Sequence, residues 1–281
     1  MSSLNQHPDS TPCLENLAKA ALAGDKAWLE DMVRALQGDV FGLALRMLSN
    51  REDAEDATQE ILVRIVTRLS QFDFRSKLKT WAYRIAVNYI LDVKKSPVEK
   101  LRLSLEHFAE DLTSVPGDAG PPEFEQSVLI EEVKIACTFG MLQCLDRPSR
   151  VAYILGGIWE LPGPEAAEVM DISPDLFRKR LQIARAAIVG FMKQYCGLVS
   201  DTAPCRCNRM LPGAVSCGKL QPSKLDFASA PISFVDARSL VRQVEESNWA
   251  LQVHRTNHPR ASSIDFARRL TATLDVLSNP H

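Results

Sequence analysis

Residues 50–95 read NREDAEDATQEILVRIVTRLSQFDFRSKLKTWAYRIAVNYILDVKK, and this stretch does most to decide the fold that we expect. Apolar residues recur at helical spacing in its first half, which predicts one helix with a buried stripe. Ser49, with Glu52 three residues later, predicts a capping box where that helix begins. The stripe consists of Ala54, Ala57, Ile61, Ile65 and Leu69.

Charge divides the same stretch into an acidic helix and a basic, aromatic one. Acids at a helix start favour the helix dipole by about 0.3–1 kcal/mol each, so a solvated face is one interpretation and a binding surface is the other. The next helix, predicted from Leu78 or Thr80 to Lys94, carries Trp81 among basic residues. Cations can hold phosphates while aromatic rings stack on unpaired bases, which favours nucleic-acid binding. A core role for Trp81 stays open as the alternative.

A second informative stretch, residues 145–185, reads LDRPSRVAYILGGIWELPGPEAAEVMDISPDLFRKRLQIAR. It predicts a short helix from Pro164 to Met170, a turn over residues 171–173, and a long helix capped by Ser173. This order is typical of a helix-turn-helix, whose second helix enters the major groove of DNA. The exposed face of that helix is predicted to carry Asp175, Arg178, Lys179 and Gln182.

Composition limits the class of protein. The chain has 281 residues with 46% hydrophobic residues, which is enough for two or three small packed domains. Lys and Arg number 33 against 35 Asp and Glu, so net charge is uninformative. No apolar run approaches the roughly 18 residues of a spanning helix, and the N-terminus lacks a signal-peptide pattern. We therefore expect a cytoplasmic protein without membrane contact.

Both stretches resemble one known family, the extracytoplasmic-function sigma factors. The resemblance rests on DAEDATQE and on FDFRSKLKTWAYRIAVNYILD, which are similar to the promoter-melting domain, and on residues 145–185, which are similar to the domain that reads the minus-thirty-five element. It implies that the partners are core RNA polymerase and promoter DNA. A separate anti-sigma protein is left open.

The resemblance also implies roles for individual residues. The acidic helix would dock on the largest polymerase subunit through Asp53, Asp56 and Gln59. Unstacked bases of the minus-ten element would be captured by Phe74, Arg75, Lys77, Trp81, Arg84 and Asn88. The upstream element would be read by Asp175, Arg178, Lys179 and Gln182.

The C-terminal third is not explained by this resemblance. Four thiols, Cys196, Cys205, Cys207 and Cys217, could form a tetrahedral zinc site, although no cofactor is otherwise required. Reversible oxidation and ordinary reduced thiols are the alternatives. Helices predicted over residues 239–251 and 264–277 suggest a fused regulatory module that packs on the sigma domains or on polymerase. The sequence does not fix whether it activates or inhibits, and the family's usual need for restraint favours inhibition. The histidines between these two helices, His254 and His258, are four residues apart and could bind metal, but the proline nearby favours exposed or hydrogen-bonded histidines in a loop.

The sequence thus predicts an all-α protein with two small helical domains, an acidic linker and a C-terminal helical extension. The expected boundaries are 14–95, 96–126, 127–195 and 196–281. A stand-alone helix-turn-helix regulator is the main alternative, but it leaves the Trp81 helix and the acidic face unexplained. An enzyme is not expected, because neither a Cys-His-Asp set nor a phosphate-binding loop is present.

Overall fold

The computed structural model describes residues 13–93, 103–114 and 128–278, with side chains described for 13–93, 103–112 and 128–273. Helices account for 71% of the structure, and the described segments contain two isolated bridges but no strand. The predicted all-α class is confirmed. One apolar core runs through these segments and includes residues from both predicted domains and from the extension.

The first domain has four helices, and its buried stripe lies where the sequence predicts. Asn50 rather than Ser49 caps the acidic helix: its side chain accepts the Asp53 N–H at 2.9 Å. Ser49 instead ends the preceding helix in a left-handed conformation (φ 52°), which leaves the capping position to the next residue. The helices are α1 (Leu14–Leu22), α2 (Lys26–Leu48), α3 (Arg51–Thr67) and α4 (Leu78–Asp92).

A helix also forms within the predicted linker. Residues 96–102 and 115–126, like the predicted helix end at Lys94, lie outside the described residues. Between them, α5 (Leu105–Ser114) places the Phe108 ring 5.7 Å from that of Phe191. This part of the linker packs on the second domain.

The second domain contains the predicted helix-turn-helix. Ser173 caps its long helix by accepting the Leu176 N–H at 3.2 Å. One turn of π-helix, Ile154–Ile158, continues the second helix of the domain. The helices are α6 (Val128–Gln143), α7 (Arg147–Tyr153), α8 (Gly163–Val169) and α9 (Pro174–Tyr195).

Two arginines of the LDRPSR motif join the domains. Arg147 donates to the carbonyls of Ile90 and Val93 at 2.9 and 2.7 Å, at the C-terminal end of α4. Arg150 is 2% exposed and donates to carbonyls at the ends of α2 and α6. Helix C-termini leave carbonyls without intrahelical partners, and cations satisfy them. These arginines therefore fix one domain to the other.

The extension adds four helices rather than the two predicted. The region predicted as one helix over 239–251 is divided between α11 and α12. Helix α11 begins earlier than predicted, because Ser233 caps it by accepting the Asp236 N–H at 3.0 Å. The helices are α10 (Cys207–Ser216), α11 (Phe234–Val241), α12 (Trp249–Arg255) and α13 (Phe266–Ser278). Val253, Phe266 and Leu270 are buried in the common core, so the extension packs on the sigma-like domains.

Candidate nucleic-acid and polymerase interface

A cleft of about 520 Å³ lies between the C-terminal half of α3 and the exposed face of α4. Its walls combine guanidinium groups with aromatic rings. Three of the residues predicted to capture bases, Trp81, Arg84 and Asn88, line it. Sequence reasoning missed Arg64 and Arg68, because the helix that leads to them was judged by its acidic beginning. Tyr89 was not among the residues predicted to bind bases, because a core role was the alternative for it. The cleft is lined by Arg64, Arg68, Gln71, Trp81, Arg84, Ile85, Asn88, Tyr89, Leu91 and Asp92.

Arg64 of α3 and Tyr89 of α4 meet in the wall of the cleft. The Arg64 guanidinium lies 4.6 Å from the centre of the Tyr89 ring, within cation–π range. Arg64 also pairs with Glu60 at 2.9 Å. Burial raises the pKa of Tyr89, so its hydroxyl stays protonated and can donate a hydrogen bond.

The loop before α4 divides its two phenylalanines between core and surface. Phe72 is buried and its ring lies 5.4 Å from that of Trp81. Phe74 is exposed and has a positive φ of 60°, a backbone conformation that side-chain-bearing residues rarely adopt. Arg75 is 88% exposed and pairs with Asp73. Trp81 is half-buried, and so it has both a packing role and a surface in the cleft.

Two predicted DNA-binding cations are paired with the second domain. Lys77 Nζ lies 3.0 Å from a carboxylate oxygen of Glu165 on α8, and Thr80 donates to the other oxygen at 2.9 Å. Burial acts to raise the pKa of Glu165, but the bonds from Lys77 and Thr80 outweigh it and the pKa is lowered. Arg84 pairs with Asp171 at 3.2 Å. Helix α4 therefore contacts the helix-turn-helix directly.

The predicted reading face of α9 is open. Asp175, Arg178, Lys179 and Gln182 are all exposed, and Arg178 pairs with Asp175. Two apolar side chains were missed by sequence reasoning: Leu176 and Ile183 are 40% and 56% exposed on this helix. Apolar side chains in a major groove can contact thymine methyl groups, so they fit a base-reading surface.

The predicted docking face of α3 is partly open. Asp53 and Asp56 are exposed, whereas Gln59 is half-buried and its side-chain oxygen is buried with no hydrogen-bond partner in the described segments. Neighbouring acids contact the extension: Glu55 accepts from the Ser262 hydroxyl at 2.8 Å, and Glu52 lies 3.6 Å from Lys224. The acidic face and the extension therefore adjoin.

The structure groups the cysteines differently from the sequence prediction. Cys196, Cys205 and Cys207 line one small cavity together with Cys137 of α6. Cys217 is exposed at the end of α10 and lines a neighbouring, larger cavity. Sequence reasoning missed Cys137 because it lies 59 positions before Cys196, on a helix of another domain.

Comparison with known proteins shows which family the chain belongs to. Residues 32–96 match the family model for sigma-70 region 2. The sigma factor SigW of Bacillus subtilis is 30% identical over 175 residues, which cover 60% of this chain and 91% of SigW. The sigma-H factor of Pseudomonas aeruginosa is 28% identical over 179 residues, covering 62% of this chain and 91% of that protein.

These relatives define the class of protein as an RNA polymerase sigma factor. Within that class, the chain belongs to the extracytoplasmic-function family. The solved structure of CnrH in complex with the cytosolic domain of CnrY is 22% identical and overlaps with a TM-score of 0.45, covering 63% of this chain and 96% of CnrH. Among the helices of the described segments, none combines the length and apolar character needed to cross a membrane.

Proposed function

We propose that this sigma factor divides its work among three surfaces and acts in the cytoplasm. The exposed acids of α3, Asp53 and Asp56, dock on core polymerase. The cleft between α3 and α4 holds unpaired promoter bases, and the face of α9 around Arg178 reads the upstream element. The proposal is supported by the relatives, which are RNA polymerase sigma factors.

The cleft is the observation that carries the proposal. Its volume of about 520 Å³ falls within the range of pockets that hold small organic groups, so an extruded base fits. Arg64, Arg68 and Arg84 supply positive charge for the adjoining phosphates, and Trp81 and Tyr89 supply rings for stacking. Base–aromatic stacking contributes about 1–3 kcal/mol per base, which is enough to favour a strand that has left the duplex.

The described arrangement is closed and must open for promoter binding. Lys77 and Arg84 bond to Glu165 and Asp171, in places where DNA phosphates would compete. Ion pairs of this exposed kind contribute only about 0–1 kcal/mol each, so a strand with several phosphates can displace them. We therefore assign the paired arrangement of Lys77 and Arg84 to the free protein, and an arrangement in which these two ion pairs are broken to the promoter complex.

The extension supports the closed form by binding both domains. Arg51 of α3 donates to the carbonyls of Asp226 and Ala261 at 2.8 and 2.6 Å. Glu132 of α6, only 5% exposed, accepts the backbone N–H groups of residues 226–228 at 2.6–3.2 Å. The loop segment around Asp226 thus contacts one cation of the first domain and one anion of the second. This placement supports the proposal that the extension restrains the sigma domains.

The test uses core polymerase and DNA fragments that the wild-type holoenzyme selects from a random library. Asp53→Lys with Asp56→Lys should prevent holoenzyme formation. Arg68→Ala and Trp81→Ala should leave core binding intact but reduce thymine reactivity to permanganate, because the cleft no longer holds the open strand. Arg209→Ala removes an exposed charge from the extension and serves as the control. Normal opening by both cleft variants would contradict the assignment of the cleft.

A further inference from the structure

We propose that Cys137, Cys196, Cys205 and Cys207 form a binding site for one thiophilic divalent metal ion of the Zn²⁺ type. The site would tie α6 of the helix-turn-helix domain to the start of the extension. The inference goes beyond the sigma activity, and it replaces Cys217 of the sequence prediction with Cys137. Its basis is where the fold places these four thiols.

The four cysteines share the wall of one small cavity of about 20 Å³. A space of roughly 10–15 Å³ is needed for a single water molecule, so this cavity has the size for one atom or ion and not for an organic ligand. Four sulfur ligands around one position are the set that structural zinc sites use. The cavity adjoins a larger one of about 410 Å³, lined by Cys137, Cys205, Cys207 and Cys217, which offers an entry path.

The chain is folded tightly where it brings Cys196 and Cys205 together. These residues form a parallel backbone bridge, in which the Gly197 N–H donates to the Cys205 carbonyl at 3.0 Å. A β-carbon on Gly197 would lie 2.0 Å from an Arg206 nitrogen and 2.5 Å from the Cys205 carbonyl oxygen, so glycine is required. Arg206 itself donates to the Ala203, Cys205 and Asp201 carbonyls. The loop thus holds two thiols side by side and places a cation next to them.

Without a metal, the surroundings keep the four thiols protonated, so the metal ion itself must supply the charge that favours thiolates. Burial raises the pKa of all four thiols, that of Cys205 to about 12, and neighbouring thiols raise those of Cys137, Cys205 and Cys207 further. The backbone N–H groups of Leu198 and Val199 bond to the Cys196 sulfur and oppose this rise. Lys134, 3% exposed, has the same effect on Cys207. A divalent cation would supply the charge that four buried thiolates need.

Binding requires a small rearrangement. Within the described segments, no three His, Cys, Asp or Glu side chains already surround a metal position. The sulfurs would have to rotate inward around the cavity. When the metal binds, one divalent ion replaces up to four thiol protons, which are released to solvent, and four thiolates hold the ion.

The experiment measures metal in the full-length chain. The protein is purified in a non-thiol reductant without chelator, and zinc is quantified. About one Zn²⁺ per chain is expected, with tetrahedral thiolate spectra when Co²⁺ replaces it. Cys137→Ser and Cys207→Ser should lose most of the metal, whereas Cys217→Ser and Cys144→Ser should keep it. Cys144 is the matched control, since it lies on the same helix region but outside the small cavity.

A second measurement holds even if a variant folds poorly. Adding Zn²⁺ to metal-free wild-type protein should release up to four protons near pH 7, because the thiols start protonated. It should also raise the melting temperature of the wild type and of Cys217→Ser. A wild-type chain that binds neither Zn²⁺ nor Co²⁺ would overturn the proposal. Retention of metal by Cys137→Ser together with its loss from Cys217→Ser would overturn this ligand set. Neither readout depends on transcription.

Discussion

At the residue scale, burial decides roles that residue type alone leaves open. His254 was expected in a loop, exposed or hydrogen-bonded, and this expectation was wrong. It lies in the last turn of α12, is 2% exposed, and its Nε2 atom is buried without a partner in the described segments. The Tyr153 ring meets it edge-on at 5.3 Å. The proline that suggested a loop comes five positions later, after the helix has ended.

This buried histidine should make stability depend on pH. Burial, with a smaller effect of Arg46, lowers the pKa of His254 to about 3, so it is neutral in the folded chain. Below pH 6.5 the unfolded chain takes up a proton that the folded chain excludes, and stability falls by about 1.4 kcal/mol per pH unit. Between pH 7 and pH 5 the wild type should lose about 2 kcal/mol that His254→Phe does not lose. Urea unfolding at both pH values measures the difference.

The control for this prediction is nearby. His258 is exposed, so His258→Phe should lose stability with falling pH as the wild type does. If His254→Phe and the wild type lose the same free energy of unfolding between the two pH values, His254 takes up a proton in the folded state as well, and the prediction is wrong.

At the element scale, periodicity predicts the helices that bury one stripe, and fails where tertiary contacts take over. Helices α3, α4 and α9 have clear apolar spacing, α3 and α9 also have a capping side chain, and all three were predicted closely. The π-turn after α7 was not, because Gly156 within it packs against Phe177 and Leu181 of another helix. The short helix α11 was also missed, although Ser233 caps it locally. The packing of α4 on the second domain was also unpredicted: the ring of Tyr83 on α4 lies 5.3 Å from that of Trp159, which follows the π-turn, and no local pattern links them.

The α4–α8 contact should restrain DNA binding by the free protein. Glu165→Gln removes the charge that holds Lys77 and weakens the bond to Thr80. Because such pairs contribute about 0–1 kcal/mol, affinity for a single-stranded oligonucleotide pool should rise by up to about fivefold. Fluorescence anisotropy at two salt concentrations measures it. Glu168→Gln is the control: it removes an equal charge at an exposed position of the same helix, away from Lys77. It measures how much affinity rises from the change in net charge alone. Equal gains in both variants would show that the pairing does not restrain the cleft.

At the scale of the whole molecule, the chain is one packed body in which the extension spans both sigma domains. Its position could not be read from the sequence, in part because several of the contacts that fix it use backbone atoms. Arg51 binds carbonyls, Glu132 binds N–H groups, and Arg255 donates to the Gly157 carbonyl at 2.9 Å. Backbone groups are present at every residue and carry no sequence signal. The resemblance to the family likewise ends before the extension begins.

The extension can be separated from the sigma domains after the chain has folded. A protease site inserted at Pro222–Ser223, an exposed turn between α10 and α11, lets the chain fold before it is cut. Cleavage and removal of the C-terminal piece should raise promoter-dependent transcription with core polymerase, because Arg51 and Glu132 then lose the loop segment around Asp226 that contacts both domains. The inserted but uncut chain is the control, and helical content by circular dichroism shows whether the remaining part stays folded. Unchanged transcription from a folded, cleaved chain would mean that the extension packs on the domains without restraining them. Reduced transcription would mean that the extension contributes to polymerase binding beside the acids of α3, which lie next to it.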